Sequence, residues 1–288
     1  MKTMNFKLGI AAVVSSIAFS AAAAITVSEG HIDEALVLKA GTAAILFVGN
    51  IYAPPSTMPQ LLGAKKDSEL FAGTLGSVVV LDKSTANVKA AISAFANVDC
   101  GERDAARILW FSGQSVEAFD TQSNTHAYVY IDSSFTNPTL NERQIVPNGL
   151  SMNAVSFEWV LLELSASSCK YIVGFDVTPP RNPLTIPKNV AAIWADSLGG
   201  KVLDSSAGGL LTRSFIDIAG KANIIYLPVL AKQLSEKFVA ISRAEKLDPS
   251  KPWVQGANDF NWVELPKKGS PLYLQKPVQI IPFNSATR

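Results

Sequence analysis

Histidine limits the acid–base chemistry open to this chain, because only His31 and His126 occur among its 288 residues. A serine–histidine–acid triad would have to use one of them as its base. Ser115 precedes His126 in Gly113-Gln114-Ser115-Val116-Glu117, which resembles the first half of a nucleophile elbow. Glu117 replaces the closing glycine of G-x-S-x-G, although the elbow needs small flanking residues at its strained turn. The pattern favours a polar turn over a catalytic Ser115–His126 pair.

A second polar cluster lies at His31-Ile32-Asp33-Glu34. A strand would place His31 and Asp33 on one face, which is half of a cation or metal site. No further ligands follow at a clear spacing, so a surface hydrogen-bonded pair is favoured and no metal is predicted.

The two cysteines, Cys100 and Cys169, are far apart in the sequence. The first 24 residues, discussed below, indicate export, and the cysteines of exported proteins usually pair. This disulfide would stabilise the fold by about 4 kcal/mol in the chain-entropy model. Two buried free thiols are the alternative. Two cysteines and two distant histidines match no zinc-ligand spacing.

Tryptophans flank a loop-like segment near the carboxyl terminus. Trp253 and Trp262 enclose Asn258 and Asp259, and exposed aromatic and amide side chains suit recognition of a carbohydrate or protein partner. These four residues form the candidate binding surface. Burial of both tryptophans in the core is the alternative.

Glycine-rich segments at 198–201 and 207–209 have neither Walker spacing nor the dinucleotide fingerprint, and no C-x-x-C-H haem motif occurs. No cofactor is therefore predicted. The net charge is +1, with no basic cluster. Nucleic-acid binding requires such a cluster, so a nucleic-acid partner is excluded.

The first two dozen residues have the pattern of a secretory signal peptide. Lys2 and Lys7 are followed by an apolar run and by small residues up to Ala24. The apolar run is too short for an ordinary transmembrane span. We expect cleavage near Ala24 and a secreted or periplasmic protein without a membrane span.

Short apolar runs separated by Gly, Pro, Asn and Ser predict most of the elements. The predicted strands are 35–39, 43–48, 77–81, 108–111, 126–131, 155–164, 171–177, 261–265, 272–275 and 278–283. The runs 155–164 and 171–177 alternate and predict a β-hairpin. Helical spacing predicts helices over 84–98, 190–198 and 229–246.

Composition changes at the proline-rich segment 179–187, which predicts a semi-rigid connector. The predicted organisation is a cleaved signal peptide (1–24), a β-rich domain (25–178), this connector and a mixed α/β region (188–288); a single domain is the alternative. The predicted fold class is α+β and β-rich, with mainly antiparallel, sandwich-like sheets first and helices clustered after the prolines. A parallel doubly wound sheet is disfavoured, because strands and helices do not alternate regularly.

Export, an apolar low-charge composition and missing catalytic motifs favour a non-enzymatic envelope or extracellular protein. It would bind a protein or polymer partner or a surface, or act as a structural, self-assembling component. A secreted hydrolase with a site around His31 or His126 is one alternative. A periplasmic solute-binding protein, with two lobes and a cleft, is the other.

Overall fold

The computed structural model describes residues 32–54, 56, 58–100, 106–120, 125–131, 154–197, 205–247, 251–256 and 260–265. The predicted signal peptide, His31, Asn258, Asp259 and the predicted strands 272–275 and 278–283 lie outside these residues. Among the described residues, no helix is long and apolar enough to span a membrane.

The described residues form eleven strands and six helices. The strands are β1 (Ile45–Gly49), β2 (Val78–Leu81), β3 (Arg107–Ser112), β4 (Ser115–Asp120), β5 (Thr125–Ile131), β6 (Ala154–Ser156), β7 (Tyr171–Asp176), β8 (Val190–Trp194), β9 (Ile224–Tyr226), β10 (Trp253–Gly256) and β11 (Trp262–Glu264). The helices are α1 (Glu34–Thr42), α2 (Leu62–Leu75), α3 (Thr85–Ala96), α4 (Phe157–Ser165), α5 (Leu210–Ala219) and α6 (Leu227–Glu245).

The centre of the fold is a six-stranded sheet in the order β10-β8-β7-β3-β1-β2. Its first five strands in chain order run parallel, and β10 is antiparallel to β8. Helices α1, α3 and α4 pack on one apolar cluster, and α2, α5 and α6 pack on the other. The fold is therefore an α/β/α sandwich around a mostly parallel sheet.

Two small antiparallel sheets accompany the central one. Strands β4, β5 and β6 form a three-stranded sheet, and β9 pairs with β11. The predicted mainly antiparallel, sandwich-like fold is therefore wrong. The inner strands of the central sheet are buried on both faces, as in parallel sheets, so they read as continuous apolar runs without alternation.

The predicted hairpin of 155–164 with 171–177 is also wrong. Only Ala154–Ser156 is strand, and the rest of the first run is α4. Ser156 Oγ caps this helix by accepting from Trp159 N at 3.3 Å. The buried residues Phe157, Val160, Leu161 and Leu164 also have helical spacing, and this period prevails over the alternation.

Two further predictions have the wrong type of element: the predicted strand 35–39 is helical, and the predicted helix 190–198 begins with a strand. Residues 35–39 belong to α1, whose amino terminus is capped by the Asp33 carboxylate accepting from Leu36 N at 3.0 Å. Residues 190–194 form β8, in which every residue is buried. A fully buried strand has no alternating pattern, so its apolar residues can fit a helical spacing by chance.

The proline-rich segment 179–187 connects β7 to β8, which are hydrogen-bonded neighbours in the central sheet. This sheet draws strands from both sides of the segment. The segment is thus a crossover on the path between two parallel strands.

The amino edge of the sheet is held by a disulfide and a buried arginine. The Sγ atoms of Cys100 and Cys169 are bonded, with 5.0 Å between their Cα atoms. The fully buried Arg107 donates from Nε to Ala43 O at 3.1 Å, and its other nitrogens contact Phe95 O and Gly41 O. Its positive charge therefore meets the carbonyl ends of α1 and α3, where the helix dipoles favour a cation.

Candidate functional site

Polar residues converge at the carboxyl edge of the parallel sheet, where sheets of this type usually bind ligands. Ser112 ends β3 and Asp176 ends β7, and the two residues are paired in register. Ser112 is also paired with Gly49, the last residue of β1. Ser112 and Asp176 are 5% and 3% exposed, so this edge carries polar groups within the packed interior.

Asp67 reaches this edge from α2 and is fully buried. Ser112 Oγ donates to Asp67 Oδ2 at 2.7 Å, and Gly209 N donates to Asp67 Oδ1 at 2.9 Å. One carboxylate thus holds the serine hydroxyl and is itself oriented by a backbone N–H group.

Asp176 occupies the other side of the α5 amino terminus. Its Oδ2 accepts from Thr212 N at 2.9 Å and from Thr212 Oγ1 at 2.7 Å. Trp110 Nε1 in turn donates to Thr212 Oγ1 at 2.8 Å. The N-cap residue of α5 is Gly209, which has no side chain to cap the helix, so two distant carboxylates accept from its first N–H groups.

Two glycines allow the carboxylates to approach so closely. A Cβ on Gly209 would lie 2.0 Å from Asp176 Oδ2, and one on Gly208 would lie 2.6 Å from Asp67 Oδ1. Gly208 also has a φ of +105°, which disfavours other residues. The Gly208-Gly209 pair is therefore a carboxylate-binding turn.

Arg213 adds positive charge next to this cluster. Its guanidinium pairs with Glu245 of α6. The hydrogen bond to Glu245 raises the pKa of Arg213 above its usual value, partial burial opposes this, and the negative charges of Glu245, Asp67 and Asp176 reinforce it. The cation offsets part of the negative charge that the fold buries here.

The arrangement supports nucleophilic chemistry. A hydroxyl within hydrogen-bond reach of a base, with that base oriented by a third group, is the geometry of an activated nucleophile. Ser112, Asp67 and Gly209 N meet this description. In the described part of the chain, this site included, no group of three histidine, cysteine, aspartate or glutamate side chains could hold a metal ion.

The structure does not bring Ser115 and His126 together. Ser115 is paired in register with Tyr130, and His126 with Phe119, so four strand positions, or about 13 Å, separate them. Ser115 Oγ instead donates to Thr178 O at 2.8 Å. Asp33, from the other histidine cluster, caps α1 and contacts Lys83 Nζ at 3.4 Å.

The candidate binding surface is divided between two sheets. Trp253 lies in β10, where it is half-buried and stacks on Trp194 with 6.2 Å between ring centroids. Trp262 lies in β11 and is 37% exposed. Recognition of an envelope partner by these residues stays a prediction.

The residues that the sequence did not single out are Asp67, Ser112, Asp176 and Thr212. Ser112 directly follows the apolar run 108–111, and Asp176 is the one charged residue in the predicted strand 171–177, which are the signals that could have located them. Asp67 and Thr212 lie in helices and carry no such signal.

No protein-family model and no curated protein sequence matches this chain. Among solved structures, it is similar to the crystal structure of caspase-1 from Spodoptera frugiperda, with a TM-score of 0.51 and 10% sequence identity. The match covers 79% of this chain and 91% of that chain.

This likeness contradicts the predicted β-sandwich, and with it the predicted non-enzymatic envelope or binding protein, because the solved structure with this α/β fold is a caspase. The two lobes expected of the solute-binding alternative are not formed by the described residues, because one central sheet takes strands from both sides of the segment 179–187. An identity of 10% establishes the fold alone, because one fold hosts many unrelated functions. The described residues thus adopt a caspase-like α/β fold.

Proposed function

We propose that this protein is a hydrolase that cleaves peptide bonds with Ser112 as nucleophile and Asp67 as general base. The observation that carries the proposal is the 2.7 Å hydrogen bond from Ser112 Oγ to Asp67 Oδ2 at the carboxyl edge of a caspase-like sheet. The choice of peptide substrates follows from the structural neighbour.

A hydroxyl nucleophile is proposed because the cysteines do not fit the role. Caspases carry their nucleophile in Q-A-C-[RQG]-G, whereas the two cysteines of this chain lie in Asp99-Cys100-Gly101 and Ser168-Cys169-Lys170. Both are joined in the disulfide, so neither is a thiolate.

In the proposed reaction, Ser112 Oγ attacks the peptide carbonyl carbon and passes its proton to the Asp67 carboxylate. Asp67 returns this proton to the leaving amine as the C–N bond breaks, which leaves an acyl ester on Ser112. Water then attacks the ester with Asp67 again as the base, and this releases the acid and restores the serine hydroxyl.

Asp176 acts in this scheme as a positioning residue. Its two hydrogen bonds from Thr212 hold the first turn of α5 against the sheet. The same turn presents Gly209 N to Asp67 Oδ1, so Asp176 keeps the base in its orientation toward Ser112.

The test is cleavage of a complex peptide mixture by the purified, oxidised protein, with new amino termini identified by mass spectrometry. We expect Ser112→Ala and Asp67→Asn to lower cleavage by about 100-fold or more, since each removes part of the nucleophile–base pair. Ser115→Ala is the matched control, because Ser115 is as buried as Ser112 but donates its hydrogen bond to a carbonyl oxygen. This variant should keep full activity. Absence of cleavage by the unaltered protein, or equal activity of Ser112→Ala, refutes the proposal.

We also propose that this hydrolase works outside the cytoplasm. Support comes from the signal-peptide pattern at 1–24 and from the disulfide, which persists in oxidising compartments. Cell fractionation followed by amino-terminal sequencing should give a secreted or periplasmic chain that begins near Ile25. An uncleaved protein in the cytoplasmic fraction with reduced cysteines contradicts it.

A further inference from the structure

The outer face of the β9–β11 sheet is mostly apolar, with Glu264 as its one charged residue. Ile224, Tyr226 and Trp262 are 41%, 56% and 37% exposed, and Trp262 is directly paired with Tyr226. The alternate residues Ile225 and Val263 are buried in the core at 3% and 0% exposure. One side of this sheet therefore packs on the protein, while its other side presents three large apolar side chains.

Exposure of these apolar side chains to water is unfavourable, so a covering layer would stabilise this face. A two-stranded sheet is at best marginally stable in water and gains stability from a further covering layer. Contiguous exposed aromatic and aliphatic side chains usually mark a contact surface. We call Ile224, Tyr226 and Trp262 the outer patch.

We propose that the carboxyl-terminal segment 266–288 of the same chain covers the outer patch. This segment continues directly from Leu265, the residue after β11, and so starts beside the patch. The seven residues from Leu265 to Leu272 can span about 23 Å, which exceeds the separation of about 10 Å between packed layers.

The composition of the segment fits this role. It contains two short runs rich in apolar residues. The first is Leu272, Tyr273 and Leu274, and the second contains Val278, Ile280, Ile281 and Phe283. It also carries Lys267, Lys268, Lys276 and Arg288 but no acidic residue. Glu264 is exposed in β11, opposite Ile224 in register, so the segment and the patch have complementary charge as well as apolar surface.

Hydrogen exchange measured by mass spectrometry on the full chain tests the proposal. We expect amides in 272–283 to exchange at least about 10-fold more slowly than in an unstructured peptide of the same sequence. The double variant Tyr226→Ser with Trp262→Ser should abolish this protection. Leu162→Ser is the matched control, because Leu162 is 67% exposed on α4 in the opposite helical layer, and it should leave the protection unchanged.

Three results overturn the proposal. Unprotected exchange of 272–283 in the unaltered protein does so directly, as does protection that survives the double variant. Protection that appears only at concentrations where sedimentation shows a dimer assigns the patch to a second copy of the chain. None of these results bears on the hydrolase, whose residues lie at the edge of a different sheet.

Discussion

Gly209→Ala probes the carboxylate-binding turn. Gly209 has φ −63° and ψ 145°, which alanine adopts without backbone strain. The added methyl group would nevertheless lie 2.0 Å from Asp176 Oδ2, far inside van der Waals contact. The carboxylate must therefore move, and both hydrogen bonds that it accepts from Thr212 are then broken or distorted.

The expected cost follows from these two bonds. A hydrogen bond to a charged group contributes about 1.5–3 kcal/mol, and loss of two that share one oxygen is less than additive. We expect Gly209→Ala to lower the free energy of unfolding by about 3 kcal/mol. Gly73→Ala is the control, because a Cβ on this exposed glycine of α2 meets no atom within 4 Å and should stabilise the helix by about 1 kcal/mol.

Urea unfolding followed by circular dichroism measures both variants. With a slope of about 2.5 kcal/mol per molar urea, Gly209→Ala should lower the midpoint by about 1.2 M, and Gly73→Ala should raise it by about 0.4 M. A midpoint for Gly209→Ala equal to that of the unaltered protein refutes the contact between the α5 amino terminus and Asp176.

Three further variants test other parts of the fold. Replacing Cys100 and Cys169 together by serine should cost about 4 kcal/mol of unfolding free energy for a sequence separation of 69, and an unchanged urea midpoint would contradict this. Arg107→Met should cost about 3–5 kcal/mol, because buried helix-terminal carbonyls lose their donor, and a loss below about 1 kcal/mol would refute that role. The hydrogen bond from Arg213 lowers the pKa of Glu245, so its contribution is present above the unfolded pKa of about 4.3 and disappears as the pH falls through the lower folded value. Glu245→Gln should therefore cost about 0.5 kcal/mol at pH 7 and nothing at pH 2, and equal losses in thermal unfolding at both pH values would contradict the ion pair.

Elements with one clear period could be predicted from the sequence. The helical spacing of 84–98 and 229–246 corresponds to α3 and α6, and the β-branched run 77–81 contains β2. The failure at 157–164 arises because its apolar residues fit both periods, and only packing of Val160 and Leu164 against the sheet selects the helix.

The candidate site depends on information that no local pattern contains. Ser112 and Asp176 become neighbours only because β3 and β7 are adjacent and parallel. Asp67 joins them from a helix on one face of that sheet, and its hydrogen bond to Gly209 spans 142 positions. Strand order is a tertiary property, so the sequence could indicate where each polar residue ends a strand but could not show which of them meet.

These long separations also determine when the carboxyl edge can form. The hydrogen bond between Asp67 and Gly209, and the one between Trp110 and Thr212 at a separation of 102 positions, cannot form until α5 has been synthesised. Contacts between such distant segments form slowly, because closing long loops costs entropy before the contacts compensate for it. We expect nascent chains that end before α5 to remain incompletely folded, with a buried carboxylate that lacks its backbone donor. If the proposed export is correct, that delay keeps the chain unfolded for longer during its passage across a membrane.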